Sequence, residues 1–381
     1  MISATQTLQD ETRDAIVVGG GLVGAAIAYG LQRQGLSTLM LDEGDIAHRA
    51  SRGNFGLIWV QSKGLGAPHY QHWTHGSAQA WPGLAEDLSE ATGIGVGLHQ
   101  PGGLHFCFSD AEMAQRDALM GQLRREAGNA GYEYRMLSVA ELRDMVPGLG
   151  PKVVGASWTP YDGHASPLHL LRALHAAFQR AGGHYRPNAR VEAVTAAPHD
   201  FSVSLGTAIV RAPRLVLASG LGNADLAPLV GLAAPLRPER GQILVTERTR
   251  EVLALPTHVV RQTDEGSLLL GDSKEDMGFD TLSQTPAIMR AIAQRAVQTF
   301  PWIAELNIVR AWAALRVMSP DGKPIYDESE RCPGAFLANC HSGVTLAGAH
   351  AHLLAPMIAA GALAPEMSPF SARRFDVQKA A

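Results

Sequence analysis

Three glycines near the amino terminus have the spacing of a turn that binds a dinucleotide. Gly19, Gly21 and Gly24 lie between the β-branched run Ala15–Val18 and an apolar segment with helical periodicity. In such a turn the first glycine allows the sharp bend, the second lets a pyrophosphate reach the backbone, and the third lets helix and strand pack closely. The pyrophosphate then meets the N–H groups at the helix amino terminus. The spacing therefore predicts a dinucleotide site.

An acidic residue follows the next predicted strand. Asp42, with Glu43 after it, closes the apolar run Thr38–Leu41, eighteen residues after Gly24. A carboxylate at this point can hydrogen-bond the ribose hydroxyls of a dinucleotide, and it disfavours a 2′-phosphate. Strand, turn, helix and acidic residue follow one another in the order and spacing of a dinucleotide-binding unit. This pattern does not distinguish NAD from FAD.

A second kind of chemistry is indicated by Arg316, which follows the apolar, strand-like run Trp312–Leu315. We expect its guanidinium to be at least partly buried, and a buried guanidinium needs an anion. Its fork matches a carboxylate in two-point fashion. Arg316 is therefore a candidate for binding a substrate carboxylate, and the alternative is a structural ion pair with a protein acid such as Asp321.

Three histidines recur at intervals of three residues, namely His69, His72 and His75. On a helix such steps drift around the axis, no cysteine or carboxylate joins the set, and Trp73 interrupts the polar face. We therefore predict no metal site.

Length and composition set the class of protein in which these residues must work. The 381 residues exceed what one hydrophobic core usually supports, so we expect two lobes or one domain with a large insertion. A net charge of -4 without a dense basic run argues against nucleic acid or anionic lipid and favours a small-molecule partner. Three cysteines are too few for a disulfide framework, and the polar amino terminus has no signal-peptide pattern, so we expect a reducing, cytoplasmic location.

One long apolar run, Val344–Leu363, needs separate treatment. It contains His350, His352 and Pro356 and is rich in alanine and glycine. We predict a buried helix and no membrane span.

The glycine-rich loop Gly44–Leu57, together with the first glycine turn, resembles the D-amino-acid oxidase, glycine oxidase and sarcosine oxidase family of flavoproteins. In that family this loop runs along FAD. Further segments resemble the family in the same order up to about residue 362. The resemblance implies FAD as the cofactor. It also implies non-covalent binding, because Ala313–Leu315 stands where monomeric sarcosine oxidases carry a flavin-linked cysteine.

The resemblance implies FAD contacts in five segments of the chain. They are Gly19, Gly21, Leu22, Val23, Gly24, Asp42 and Glu43; Ala50, Ser51, Asn54, Phe55, Gly56 and Leu57; Val191 near the adenine; Ala218, Ser219, Gly220 and Gly222; and Ser342, Gly343, Val344 and Thr345. The segment Gly343–Thr345 is also expected to begin the long helix, so that its backbone amides face the electron-rich edge of the flavin.

By the same resemblance, Arg316 binds the carboxylate of an amino acid beside the flavin. The implied reaction is hydride transfer from the C–N carbon to flavin N5, which gives an imine that water hydrolyses. His258 lies near a substrate-contacting position. His341 lies where glycine oxidases carry a second arginine, so it leaves room for a bulkier or differently charged substituent. Lys63 is either a cation near the flavin or a solvated loop lysine, and we favour the solvated interpretation.

Within the family, Ser51–Gly56 and His341–Ala347 look most like the flavin subunits of opine oxidases, D-hydroxyproline dehydrogenases and hydrogen cyanide synthase. Those subunits work in multi-subunit complexes, so partner subunits are expected. The main hypothesis is an oxidoreductase acting on opine-, D-hydroxyproline- or glycine-like substrates. The alternatives are an electron-transfer or scaffold subunit, in which Arg316 is structural, and a stand-alone oxidase that uses oxygen.

The expected fold is α/β, with a discontinuous Rossmann-like FAD-binding domain and a second, antiparallel-sheet α+β substrate domain. We assign residues 1–88, 150–225 and 325–381 to the first and residues 89–149 and 226–324 to the second. The predicted elements of the substrate domain are strands at Gly103–Phe108, Gln242–Val245 and Leu268–Leu270 and helices at Ala111–Ala127 and Ala287–Phe300.

Overall fold

The computed structural model describes residues 11–44, 50–206, 208–250, 253–280 and 284–379. Residues 45–49 of the predicted FAD-contacting loop lie outside this part of the chain, as do the first ten residues of the predicted FAD-binding domain.

A six-stranded sheet forms the centre of the fold, with five parallel strands and one antiparallel edge strand. In spatial order the strands are Ile325–Glu328, Ala335–Asn339, Leu215–Leu217, Ala15–Val18, Thr38–Leu41 and His184–Arg186. Successive side chains of a strand point to opposite faces, so Ala15 and Val17 join one core cluster and Ile16 and Val18 join another. The strand is therefore apolar throughout because both faces of the sheet are covered.

Helices cover one face of this sheet, and a smaller sheet covers the other. The helices are Leu22–Arg33, Pro68–Thr92, Pro167–Arg180 and a carboxyl-terminal helix made of Ala347–Ala349, His350–Leu354 and Ala355–Ala360. The smaller sheet has the strand order Glu11–Thr12, Ile209–Ala212, Asp200–Ser204 and Ala193–Ala197. The predicted Rossmann-like α/β fold is confirmed by this arrangement.

The carboxyl-terminal helix confirms the buried-helix prediction but begins later than expected. It starts at Ala347, so the prediction that it begins at Gly343 was wrong. The Val344 carbonyl accepts a hydrogen bond from Trp81 Nε1 at 3.0 Å, and the Thr345 carbonyl accepts one from Ser77 Oγ at 2.8 Å. Because the helix Pro68–Thr92 binds these carbonyls, the segment forms turns before the helix becomes regular.

A second group of strands is entirely antiparallel. One sheet has the order Val260–Gln262, Ser267–Leu270, Arg237–Arg248 and Ile308–Met318, and the other has the order Gly103–Cys107, Gly155–Thr159 and Arg135–Ser138. A backbone bridge between Leu104 and Thr257 joins the two sheets. The helices Asp110–Ala127, Val139–Met145 and Pro286–Thr299 accompany them.

The five elements predicted for the substrate domain are all present, with ends shifted by a few residues. The domain boundaries themselves stay a prediction. The strand Gly155–Thr159, which follows the first predicted insert, pairs with both strands of that insert.

The remaining elements are short. They are the strand pair Leu57–Ile58 and Gly163–His164, the helix Asn223–Leu226, and the 3₁₀ segments Gly128–Ala130, Gly220–Gly222, Ala227–Val230, Pro301–Glu305, Pro365–Phe370 and Ala372–Lys379. Among the described helices, none has the length and apolar character needed to cross a membrane.

Candidate functional site

The first glycine turn packs so closely that two of its glycines have no room for a side chain. Gly19 has a φ of +112°, and a Cβ there would lie 2.4 Å from the carbonyl oxygen of Ala218. A Cβ on Gly24 would lie 1.9 Å from the carbonyl oxygen of Gly19. The turn is therefore built for close approach between helix and strand. The turn also lies against the segment Ala218–Gly222, at the carboxyl end of the parallel strands. Nucleotides bind at this end of such sheets.

The helix after this turn leaves its amino terminus available to an anion. Gly21 is the N-cap residue and has no side chain with which to cap the helix. The Leu22 N–H donates a hydrogen bond to Ser51 Oγ at 2.9 Å. This bond holds Ser51, from the glycine-rich loop, at the amino terminus of the helix. The other N–H groups of the first turn lack a capping side chain from Gly21, and the helix dipole favours negative charge there. This geometry fits a pyrophosphate.

Asp42 ties the second strand to the turn. Its Oδ2 accepts a hydrogen bond from Gly20 N–H at 2.7 Å, and its Oδ1 accepts one from Gly44 N–H at 2.9 Å. The carboxylate is buried, and it lines a cavity beside the turn. Asp42 therefore both fixes the backbone of the turn and faces the space where a ribose would lie.

That first cavity has a volume of about 600 Å³. Besides the predicted Gly21, Asp42 and Ser51, its wall includes residues of the helix Pro167–Arg180 that sequence reasoning missed. They are Leu168, Leu171, Arg172, His175, Ala176 and Gln179. Because Leu168, Arg172, His175 and Gln179 have the spacing of one helix face, a helix predicted from Pro167 onward would have indicated them.

A second cavity, of about 370 Å³, gathers most of the predicted flavin-facing and substrate-facing residues. They are Ala50, Asn54, Phe55, Leu57, His258, Arg316, His341, Ser342, Val344 and Thr345. Residues that were not predicted also line it, namely His105, Glu239, Asp272 and Lys274. The structure therefore brings all three predicted substrate-site residues into one cavity.

The other predicted contact residues lie behind these walls or apart from them. They are Gly19, Leu22, Val23, Gly24, Glu43, Gly56, Val191, Ala218, Ser219, Gly220, Gly222 and Gly343. Val191 is partly buried and packs against the core below the smaller sheet. The contact of these residues with a cofactor stays a prediction.

The loop that forms one wall of the second cavity is fastened at several points. Trp312 Nε1 donates a hydrogen bond to the Gly53 carbonyl at 3.1 Å, and a Cβ on Gly53 would lie 2.3 Å from the Cβ of Ala314. The buried Arg261 donates through Nε to the Phe55 carbonyl. The loop therefore rests directly on the long strand Ile308–Met318, which carries Arg316.

Arg316 is mostly buried, and its guanidinium already has protein partners. Nη2 lies 2.5 Å from Asp272 Oδ2, and Nη1 lies 2.8 Å from the Ser273 carbonyl and 3.4 Å from Glu239 Oε1. The alternative that Asp321 is the ion-pair partner was wrong. That carboxylate instead accepts from Lys323 N–H and pairs with the guanidinium of Arg374. A substrate carboxylate at Arg316 would have to share the guanidinium with Asp272.

Two stacked imidazoles form another part of the wall. The rings of His105 and His258 lie 3.8 Å apart and almost parallel. Burial lowers the pKa of His258 to about 3 and also lowers that of His105, so both rings are neutral at neutral pH. Among the described residues, none hydrogen-bonds the buried Nδ1 of His258.

Lys63 differs from its predicted role as a solvated loop residue, and that prediction was wrong. Its side chain is partly buried and lines the cavity, with Nζ 3.0 Å from His341 Nε2 and 2.9 Å from Ser342 Oγ. Burial lowers the pKa of the Lys63 ammonium to about 8. Burial and the nearby charge of Lys63 hold the pKa of His341 well below its usual value, so that imidazole is neutral.

No three His, Cys, Asp or Glu side chains in the described ranges lie in an arrangement that could hold a metal ion. His69, His72 and His75 lie on the helix Pro68–Thr92, and the His75 ring packs against Tyr161 at 4.1 Å.

The chain is similar to known proteins over almost its whole length. A family model described as FAD dependent oxidoreductase (DAO) matches residues 14–357. The chain is 46% identical over 367 residues to one of the opine oxidase subunits of Agrobacterium tumefaciens (strain Ach5), covering 96% of this chain and 99% of that one. It is 27% identical to hydrogen cyanide synthase subunit HcnC of Pseudomonas aeruginosa, with 98% of each chain covered. A crystal structure of glycine oxidase from Geobacillus kaustophilus shares the fold, with a TM-score of 0.84, 24% identity, and coverage of 95% of this chain and 98% of that chain.

Proposed function

This chain belongs to the DAO family of FAD-dependent oxidoreductases, and from that premise we propose that it oxidises the C–N bond of an amino acid or N-substituted amino acid. One observation carries the proposal. The guanidinium of Arg316 lines the same cavity as the loop around Asn54 and the segment Ser342–Thr345, where the cofactor's redox-active ring is expected. A fixed carboxylate would orient the neighbouring C–N carbon towards that ring.

The walls of the two cavities fit an extended dinucleotide. The glycine turn and Asp42 would hold the pyrophosphate and ribose, and the loop around Asn54 together with the segment Ser342–Thr345 would hold the flavin. When bound, FAD supplies the acceptor for the hydride that leaves the C–N carbon. We propose the predicted contact residues in this role, with the substrate lobe at 89–149 and 226–324.

The residues of the second cavity then have three tasks. Arg316 binds the carboxylate. The partly buried loop around Asn54 and the His105 and His258 pair exclude water and bound the space for the substrate's side chain. The positive charges of Arg316 and Lys63 disfavour a protonated amine beside them, and the neutral amine is the form that can be oxidised.

For the substrate class we propose an opine-like N-substituted amino acid, since the relative at 46% identity is named as part of an opine oxidase. His341, a neutral imidazole, leaves more room than a second arginine would. D-hydroxyproline-like and glycine-like substrates are the alternatives.

We also propose that the chain works with partner subunits in the cytoplasm. Both curated relatives described above are named as subunits. A second candidate function, an electron-transfer or scaffold subunit, is favoured by the pairing of Arg316 with Asp272 and Glu239. A stand-alone oxidase is the third candidate, and peroxide release by the isolated chain would support it.

The proposal is tested by anaerobic mixing of the FAD-loaded chain with a panel of amino acids, N-substituted amino acids and opines. Bleaching of the flavin's visible absorbance by a member of the panel supports C–N oxidation. If no member of a broad panel bleaches it, the proposal fails and the scaffold function is favoured. Rapid bleaching without oxygen consumption in air identifies a dehydrogenase.

Replacing Asp42 with alanine is expected to weaken FAD binding. Two hydrogen bonds to a charged acceptor are lost from Gly20 and Gly44, at about 1.5–3 kcal/mol each when not compensated. The proposed hydrogen bond from the ribose to this carboxylate is lost as well, and at about 1.5–3 kcal/mol for a charged acceptor its loss lowers the affinity for FAD roughly 10- to 150-fold. Titration of apoprotein with FAD, followed by flavin fluorescence, measures the change. Asp144→Ala, which removes an exposed carboxylate of the helix Val139–Met145, is the control, and equal losses in the two variants would contradict the role of Asp42.

A further inference from the structure

The charged groups of the second cavity are not evenly paired. Arg316 forms ion pairs with Asp272 and Glu239. Lys63 lies in the same cavity, yet no carboxylate in the described ranges forms an ion pair with it. A cation withdrawn from water costs free energy unless an anion or several hydrogen bonds compensate it. Of these two partly buried cations, Lys63 therefore has the greater need of an external anion, and Lys274, which also lines the cavity, is exposed to water.

Two of the three N–H groups of the Lys63 ammonium have a hydrogen-bond partner. An ammonium has three N–H groups and no acceptor. One donates to Ser342 Oγ at 2.9 Å, and one can donate to His341 Nε2 at 3.0 Å, because that ring is neutral. The third has no partner among the described side chains, and the side chain lines the cavity.

A buried network holds the backbone that presents Lys63. Asp162 Oδ1 accepts from Val60 N–H at 2.5 Å, and Asp162 Oδ2 accepts from Gln61 Nε2 at 2.6 Å. Arg116 donates to Gln61 Oε1 at 2.5 Å and to Ser62 Oγ at 2.6 Å. Ser62 has a φ of +77°, a left-handed conformation that is unfavourable for a serine. The network fixes that conformation, and the next residue then points into the cavity.

We propose that Lys63 is a second carboxylate-binding residue of the substrate site, which shares with Arg316 the task of orienting the substrate's anion. The inference rests on the proposed function for the identity of that anion. The site would then recognise a carboxylate through two cations. The guanidinium of Arg316 is shared with protein carboxylates, and the ammonium of Lys63 is not. Lys63 thereby determines the preference of the site for an anion over a neutral group of the same shape.

The test uses two ligands that have no amine to oxidise and differ in charge, benzoate and benzamide. Their affinities for the FAD-loaded full chain are measured by calorimetry. Lys63→Met is expected to weaken benzoate binding by about tenfold or more, because a buried charged partner is lost, and to leave benzamide binding unchanged. Lys63→Arg should retain most of the benzoate affinity. Lys152→Met removes an exposed lysine and should bind both ligands like the unmodified protein.

The pH dependence separates an electrostatic role from a structural one. Benzoate affinity of the unmodified protein should fall as the pH rises through about 8, where Lys63 loses its proton. In Lys63→Arg that fall should be absent, because the guanidinium stays charged. The charged or titratable groups that face Lys63 are Cys340, His341, Lys274, Arg316 and Asp272. Burial raises the pKa of Cys340 to about 12, and His341 is already neutral, so neither titrates near pH 8.

Three results would overturn the inference. They are benzoate binding in Lys63→Met within about twofold of the unmodified protein, the same fall with pH in Lys63→Met, and benzoate binding no tighter than benzamide in the unmodified protein. The last of these needs no variant. If the amino-acid panel fails while the benzoate preference depends on Lys63, the proposed reaction falls and the anion site stands. If the panel succeeds and Lys63→Met binds benzoate normally, only this inference falls.

Discussion

Arg316→Met is expected to lower the second-order rate constant for anaerobic reduction of the flavin by substrate by roughly 30- to 5,000-fold. Truncating one partner of a buried, hydrogen-bonded charge pair costs about 2–5 kcal/mol. The loss should appear largely in substrate affinity if Arg316 only holds the carboxylate, and also in the limiting rate if it aligns the C–N carbon. Stopped-flow measurement of the flavin's visible absorbance separates the two quantities.

Two further variants keep the Arg316 prediction specific. Arg290→Met removes an exposed arginine of the helix Pro286–Thr299 and should reduce at the normal rate. Arg316→Lys keeps the charge but loses the planar fork, so it should fall between the two. If Arg316 serves only to hold Asp272 and Glu239, Arg316→Met will lose thermal stability, yet the flavin that it retains will be reduced at the normal rate. That outcome would contradict carboxylate binding by Arg316.

Gly24→Val should remove FAD from the protein almost completely. Even a Cβ at this position would lie 1.9 Å from the carbonyl oxygen of Gly19, a backbone atom that cannot move without opening the turn. Overpacking of this kind costs about 1–3 kcal/mol and occasionally more, and here it acts on the turn that meets the pyrophosphate. The measurements are the ratio of flavin to protein absorbance after purification and the midpoint of thermal unfolding.

The matched control is Gly83→Val on the helix Pro68–Thr92, where no heavy atom lies within 4 Å of an added Cβ. It should keep a full complement of FAD. A Gly24→Val protein that carries as much FAD as the Gly83→Val protein would refute the assignment of this turn to the cofactor.

The sequence predicted those parts of the fold in which local pattern and tertiary structure agree. The turn from Gly19 to Gly24 combines tight backbone geometry with the periodicity of the following helix, so its structure follows from residue type and spacing. The start of the last helix was predicted wrongly. The side chains of Ser77 and Trp81, far away in the sequence, take the carbonyls that a helix at Val344 would use.

The chemistry of the second cavity was harder to predict for the same reason. Arg316 was found because an arginine in an apolar strand is conspicuous, but its partners Asp272 and Glu239 come from other segments. Lys63 has the sequence context of a solvated loop. Only the contacts of Arg116 and Asp162 with its neighbours explain why it faces the cavity. Such long-range contacts leave no periodic signal in the chain.

The most direct test of carboxylate-directed C–N oxidation compares two matched compounds under anaerobic conditions. One is an N-carboxyalkyl amino acid, and the other is the secondary amine of the same skeleton without carboxylates. We predict that the amino acid bleaches the flavin of the FAD-loaded chain and that the amine does not, because Arg316 has no group to bind. Equal bleaching by both compounds would contradict the role of the carboxylate, and bleaching by neither, with the opine panel also inactive, would contradict C–N oxidation by this chain.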